Sequence, residues 1–324
     1  AQDKAIYDVV VVGAGNAALC AAIAARQQGA NTLVLEKAPP LAQGGNCMYT
    51  GGGFRFEHDG IQDIRNLITE ITDKEASILD MNPYSSKEFM NHLTQVTYGD
   101  TDPDLARVIV SQSRPTIDWM HAQGVKWELP PSSNRIDGAP TTIPSSVGLR
   151  AYESGLGLVK MLTASCRRNG INILYNTKMI RLVQNSRGEI AGVVIKDTDG
   201  IQEIVSGAVV LACGGFEANA EMRVKYLGPE WEGAKVRGSK YNTGDGHRVA
   251  LDVGAKPAGQ WTGCHATPID VNAPDTGDPS ITERMPRRAY TLGITVNSDG
   301  RRFIDEGEGF AEQTFVKMGK RVLE

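Results

Sequence analysis

Two groups of residues in this sequence have types and spacings that could do chemistry. The first is Gly13-Ala14-Gly15-Asn16-Ala17-Ala18, with Glu36 and Lys37 beyond it. Its chemistry is the holding of a dinucleotide. Gly13 permits a tight turn, Gly15 lets backbone approach a pyrophosphate, and Ala18 is small enough for close helix packing. Glu36 stands 23 residues after Gly13, where an acid accepts hydrogen bonds from a ribose hydroxyl. The second group comes late in the chain: His265, then Glu283 with Arg287 and Arg288. A histidine can donate to a carboxylate and changes charge near neutral pH. Planar guanidinium groups grip carboxylates with two parallel bonds, so this group suits a polycarboxylate. A packing histidine and a solvated basic loop are the ordinary alternatives.

The elements that must position the first group are legible around it. Val9 to Val12 form a β-branched run, the pattern of a strand buried on both faces. An alanine-rich helix follows, its N-terminus aimed at the phosphates, and Gly29 closes it. A second strand over 32–35 ends at Glu36. Next come Gly44, Gly45, Asn46, Thr50, Gly51, Gly52 and Gly53. So many glycines cost chain entropy on ordering, which predicts backbone wrapped closely round a ligand rather than a loop built for stability.

Farther on, residues 61–73 show one helical face. Asp102 and Pro103 start another helix, with apolar positions Leu105, Val108 and Ile109, and a later helix holds Ile117, Trp119 and Met120. His92 and His121 fall in this stretch and read as packing or surface residues. Residues 128–148 are a loop. A helix over 155–168 leads to strands at 171–175 and 177–182, a hairpin-like pair at 190–196 and 202–205, and a buried strand from 208 into the turn Ala212-Cys213-Gly214. Asn242-Thr243-Gly244-Asp245 precedes a helix over 246–253, and residues 291–297 read as a strand.

The chain has 324 residues and a formal net charge of −4, too small to imply nucleic acid or a membrane surface. The five cysteines are scattered without C-x-x-C spacing. That speaks against a disulfide framework and a zinc site, and for a reducing compartment, hence a cytoplasmic expectation. No metal is expected. No run approaches a membrane span, and no signal peptide is visible.

Taken together, the glycine segments resemble the flavoprotein family of fumarate reductases and succinate dehydrogenases, most nearly tricarballylate dehydrogenase. The resemblance implies FAD as cofactor. It implies an α/β fold, a Rossmann-like FAD-binding domain over 1–258 with an inserted α+β substrate-capping domain, of which 259–324 is the N-terminal part. The family's covalent members carry a histidine just before the Gln-Gly-Gly. Residues 38–42 contain none, so non-covalent FAD is implied. Met179 falls at a backbone contact of the family, while Ala212-Cys213-Gly214 and Asn242-Thr243-Gly244-Asp245 match its later FAD loops. His265 resembles the histidine that binds a substrate carboxylate. Glu283 with Arg287 or Arg288 resembles an acid–arginine proton path. Two departures stand out. Ala311 occupies a position where tricarballylate dehydrogenase-like sequences have arginine, and the family's C-terminal third does not follow, so the fold is expected to be incomplete there.

The resemblance implies hydride transfer at flavin N5 between a small di- or tricarboxylate and its unsaturated product. A ketosteroid-like substrate is one alternative. A truncated FAD-binding fragment without turnover is another. With no C-x-x-C-H or iron–sulfur pattern, electrons would leave to a separate acceptor or a membrane-associated partner protein.

Overall fold

A valine run flanked by a glycine turn is a strand that both faces can bury, and the chain begins there. The computed structural model describes residues 6–68, 71–130, 141–142, 148–281, 285, 287, 289–309 and 311–323. Strand β1 (Ile6–Val12) leads into helix α1 (Asn16–Gln27) and strand β2 (Thr32–Leu35). Gly29 has φ +87° immediately beyond the helix end, as its role as a terminator requires. Four more strands complete the sheet: β3 (Asn172–Leu174), β4 (Lys178–Gln184), β5 (Ile190–Asp197) and β6 (Gly200–Leu211).

The sheet order is β3-β2-β1-β6-β5-β4. Strands β3, β2, β1 and β6 run parallel, and β6, β5 and β4 form an antiparallel meander. The segments expected at 202–205 and from 208 are one continuous twelve-residue strand, β6. Its first half pairs with β5, Gly192 opposite Val205, and its second half pairs with β1, Val12 opposite Leu211. One strand therefore joins the hairpin to the parallel core and carries the turn at 212–214 to the same edge as Gly13. Val10, Val11 and Val34 are fully buried. Val10, Leu33, Leu35, Val193 and Ile195 belong to one apolar cluster, which fixes the register because a one-residue slip would turn it outward.

Among the described residues, three α-helices follow the sheet: α2 (Ala220–Leu227), α3 (Asp245–Asp252) and α4 (Ala311–Leu323). The strand expected at 291–297 does not form. A 3₁₀ turn over Ala289–Leu292 and an isolated bridge between Val296 and Arg302 take its place. The Thr295 N–H donates to the Glu306 carboxylate at 2.5 Å, so a side chain satisfies a group that a neighbouring strand would have taken.

The chain divides into two compact units, Ala1–Tyr49 with Asn169–Glu324, and Thr50–Arg168. That partition falls elsewhere than residue 258/259, and the capping-domain assignment of 259–324 stands as a proposal. In the Thr50–Arg168 unit, the two helices expected around 103–122 are one, Pro103–Ala122, with Pro115 inside it. Asp102 caps it as expected, its Oδ1 accepting from the N–H groups of Asp104 and Leu105. The buried stripe is Ala106, Val110, Ile117 and Met120, whereas Leu105, Val108 and Ile109 are exposed. The local apolar triplet loses because only the other stripe continues buried along the whole helix. The helix expected over 61–73 shortens to Ile61–Arg65, with a separate helix at Asp73–Ile78, although Ile64, Leu67, Ile68 and Ile71 remain buried. Residues 131–140 and 143–147 of the expected loop lie outside the described residues. The Tyr84 hydroxyl meets His92 Nδ1 at 2.8 Å, a packing role.

Candidate functional site

Parallel strands place their carboxyl ends on one edge, and the turns leaving β1, β2 and β6 meet there. The turn after β1 cannot carry a side chain at its first residue. Gly13 has φ +109°, and a Cβ on it would lie 2.4 Å from the Ala212 carbonyl oxygen. Gly15 leaves a cradle: a Cβ there would lie 3.4 Å from the Gly44 oxygen. Gly15 also begins α1 without a side-chain cap, and the first turn holds no acid. The Asn16 N–H is turned to Cys47 Sγ at 3.2 Å, and an anion at this turn meets the positive end of a twelve-residue helix.

These turns enclose a cleft of about 600 Å³. Of the residues singled out in the sequence, Gly13, Ala14, Gly15, Asn16, Ala17, Glu36 and Lys37 line it. So do Gly44, Gly45, Asn46, Met179, Ala212, Cys213, Gly214, Asn242 and Asp245. Ala18 lies beneath, fully buried, where its small side chain lets α1 pack closely. Thr243 and Gly244 stand behind the wall: Thr243 Oγ1 accepts from Lys37 Nζ at 2.6 Å, and Gly244, at φ +76°, is the N-cap of α3. Thr50, Gly51, Gly52 and Gly53 belong to the Thr50–Arg168 unit and are not among the lining residues.

Glu36 is buried, and the Ala14 and Ala38 N–H groups each donate to it at 2.8 Å. Burial pushes its carboxyl above the ordinary range, opposed by those N–H groups and by Lys37. Asp245 pairs with Lys37 at 2.6 Å and Lys178 at 3.2 Å. Burial acts to raise its pKa, but the two lysines outweigh burial and hold it below the usual value. The Cys213 thiol is pushed up to about 11, first by burial and then by Asp245, so it is a neutral wall residue near pH 7.

Sequence reasoning missed Thr177, Lys178, Glu217, Ser239, Tyr241 and His247 on the cleft wall. Glu217 follows the glycine turn by two residues and His247 follows Asp245-Gly246, so proximity to a motif was the available signal. Glu217 Oε2 and His247 Nδ1 are buried with no hydrogen-bond partner among the described residues. A ligand with both donors and acceptors suits such a wall.

Arg287 and, less strongly, Arg237 act electrostatically on His265. Neither His265 nor Arg287 lines the cleft. The His265 ring meets Phe315 of α4 edge-on at 5.0 Å between centroids. Partial burial, then Arg287 and Arg237, lower its pKa. The imidazole is therefore held neutral beside cations, an arrangement that an incoming carboxylate would relieve. Arg237 Nη1 donates to the Tyr49 carbonyl at 2.8 Å. Glu283 and Arg288 lie outside the described residues.

A parallel sheet with a glycine turn, a helix N-terminus and a strand-ending acid at its carboxyl edge defines a Rossmann-like dinucleotide-binding protein of the α/β class. The FAD binding domain family model matches residues 8–318, and the chain belongs to this family. Its cofactor is FAD. The chain is 29% identical over 307 residues to a "Fumarate reductase (cytochrome)" of Shewanella frigidimarina, covering 92% of this chain and 48% of that protein. It is 26% identical over 379 residues to a "3-oxosteroid 1-dehydrogenase" of Mycobacterium tuberculosis (strain ATCC 25618 / H37Rv), covering 94% and 63%. The fold matches the open conformation of a flavocytochrome c3 fumarate reductase with a TM-score of 0.70 at 24% identity, covering 96% of this chain and 50% of that one. The chain spans about half the length of the fumarate reductase it matches.

Proposed function

We propose that this chain carries the FAD-binding part, and the start of the substrate side, of an oxidoreductase acting on the CH–CH bond of a small di- or tricarboxylate. Tricarballylate is the preferred class member. The feature that carries this reading is that Arg287 and Arg237 lie within electrostatic reach of His265, whose ring packs on Phe315. Histidine and arginine side chains suit carboxylates, and a steroid skeleton offers them no anionic group.

FAD, when bound, supplies the two-electron chemistry. The chain's own residues do the rest. The glycine turns and the α1 N-terminus hold the pyrophosphate, and Glu36 accepts from the ribose hydroxyls. Residues 38–42 offer no histidine for a covalent link, which supports non-covalent binding. His265 and Arg287 bind and orient the substrate carboxylate. Glu283 and Arg288 are proposed to complete a proton path, and Thr50 to Gly53 to contribute backbone to the cofactor. Electrons leave to a separate acceptor, a cytochrome-like or membrane-associated partner. All five cysteines are free, which supports a reducing, cytoplasmic setting. Among the described residues, no helix is long and apolar enough to cross a membrane.

The test is the visible spectrum of the purified chain under anaerobic conditions. A flavin band bleached by tricarballylate supports the proposal. A band bleached by a 3-ketosteroid but by no carboxylate replaces the substrate class. A flavin band that no candidate substrate bleaches leaves a cofactor-binding fragment without turnover.

A further inference from the structure

One carboxylate on the cleft wall lies outside every glycine motif. Glu217 lines the cleft, and its Oε2 is buried with no hydrogen-bond partner among the described residues. The local backbone leaves room for it there. Its carboxylate folds back over Gly215: a Cβ on Gly215 would lie 2.5 Å from Oε1 and 2.8 Å from Oε2. Only glycine at 215 leaves that space. Arg223 anchors the same turn, its Nη1 donating to the Glu217 carbonyl at 2.5 Å. The remaining bonds of that guanidinium go to the carbonyls of Trp231 at 2.9 Å and Glu232 at 2.8 Å. The adjacent cation is thus committed to main chain and leaves the Glu217 carboxylate unused.

A carboxylate only accepts hydrogen bonds, and a buried acceptor without a donor is costly to the protein that holds it. We propose that Glu217 accepts a hydrogen bond from an N–H or O–H of bound FAD, separate from the ribose hydroxyls assigned to Glu36. FAD offers such donors in its ribityl hydroxyls, its flavin imide and its adenine amine. The inference rests on the cleft being the FAD site, and it makes Glu217 a residue kept for the cofactor at the expense of the cofactor-free fold.

Titrating FAD into the wild type, Glu217→Ala, Glu217→Gln and Gly215→Ala, with flavin fluorescence as the signal, tests it. Thermal denaturation of each without FAD runs alongside. Glu217→Ala should bind FAD about ten- to a hundredfold more weakly, the range of one charge-assisted bond. Its FAD-free form should melt no lower than the wild type, because an unpaired buried acceptor has gone. Glu217→Gln keeps an acceptor oxygen and should recover much of the affinity, while Gly215→Ala should displace the carboxylate and weaken binding too. FAD affinity in Glu217→Ala within about twofold of wild type overturns the proposal, as does a fall in its FAD-free melting temperature that matches the lost affinity. A wild-type chain that takes up no FAD overturns the cofactor reading of the cleft, and Glu217 falls with it. Wild-type uptake with an indifferent Glu217→Ala overturns Glu217 alone.

Discussion

The cofactor cleft and the segment from 259 to 309 belong to one compact unit but are held in different ways. The cleft residues ride on strands whose register is fixed by side chains with no exposure at all, such as Val10 and Val34. In the later segment Leu292 is 89% and Ile294 75% exposed. Individual polar bonds position that backbone instead. Asn297 Oδ1 accepts from the Asp299 and Arg301 N–H groups, and the Tyr290 hydroxyl meets Thr314 Oγ1 at 2.6 Å. If the later segment serves the substrate as proposed, binding and selection have separate supports: a change in the segment should leave FAD in place, whereas a change at the sheet edge should remove both.

The strongest way to break this comparison is Gly13→Val. The side chain would enter the Ala212 carbonyl from a backbone at φ +109°. We expect a loss of roughly 3 kcal/mol or more in stability and no measurable flavin uptake. A well-folded, yellow Gly13→Val protein would show that register at the sheet edge does not decide cofactor binding.

Glu36→Ala should come next. It strands the N–H groups of Ala14 and Ala38 in a buried place, at a cost of about 2–4 kcal/mol for the pair. Chemical denaturation and FAD titration should both register it. Asp245→Asn should cost less, about 1–2 kcal/mol, since its lysine partners Lys37 and Lys178 keep some water contact. Because the folded state depresses the Asp245 pKa, its contribution is present above the ordinary aspartate value and disappears as pH falls through the lower folded one. The stability gap between wild type and Asp245→Asn should therefore close in acid. A gap that is constant with pH would remove the charge from the explanation.

His265 moves the comparison to the proposed substrate side. Its folded pKa is lowered, so the free ring is neutral near pH 7, and a bound carboxylate would favour its protonated form. Binding then takes up a proton, and carboxylate affinity should rise by about three- to tenfold from about pH 8 to about pH 6. His265→Ala should flatten that profile and leave FAD affinity unchanged. Calorimetry at several pH values decides it. A His265→Ala protein that loses FAD would dissolve the division between the two regions.

The same division explains how much of the molecule was legible in its sequence. The glycine turns, the strand-ending Glu36 and the capped start at Asp102 are local devices, each written within a few residues. Lys37 was legible as a position, yet its partner Asp245 lies 208 residues away, and no local pattern encodes that pairing. Arg237 joined His265 for a similar reason. The triplet Leu105, Val108 and Ile109 misled because helical periodicity identifies a stripe without saying which stripe finds a core. The expected strand at 291–297 failed because β-rich composition cannot supply a neighbouring strand, and Glu306 offered the Thr295 N–H a closer acceptor.

That last bond yields the smallest and most localised prediction. Glu306 accepts from the Thr295 N–H, and Arg302 Nε donates to it at 2.8 Å. The Thr295 N–H, the residue's own N–H and Arg302, in that order, hold its carboxyl at about 2, well below an ordinary 4.5. A depressed carboxylate stabilises the fold above its unfolded pKa and loses that contribution as pH falls through the folded one. Glu306→Gln should therefore lower the melting temperature slightly near pH 7, with the difference shrinking between pH 4.5 and about 2. Flavin uptake at neutral pH should be unaffected, because no strand of the cleft depends on this bond. A Glu306→Gln protein with impaired uptake would show that the polar bonds of the later segment reach the cleft after all, and the two supports would have to be treated as one.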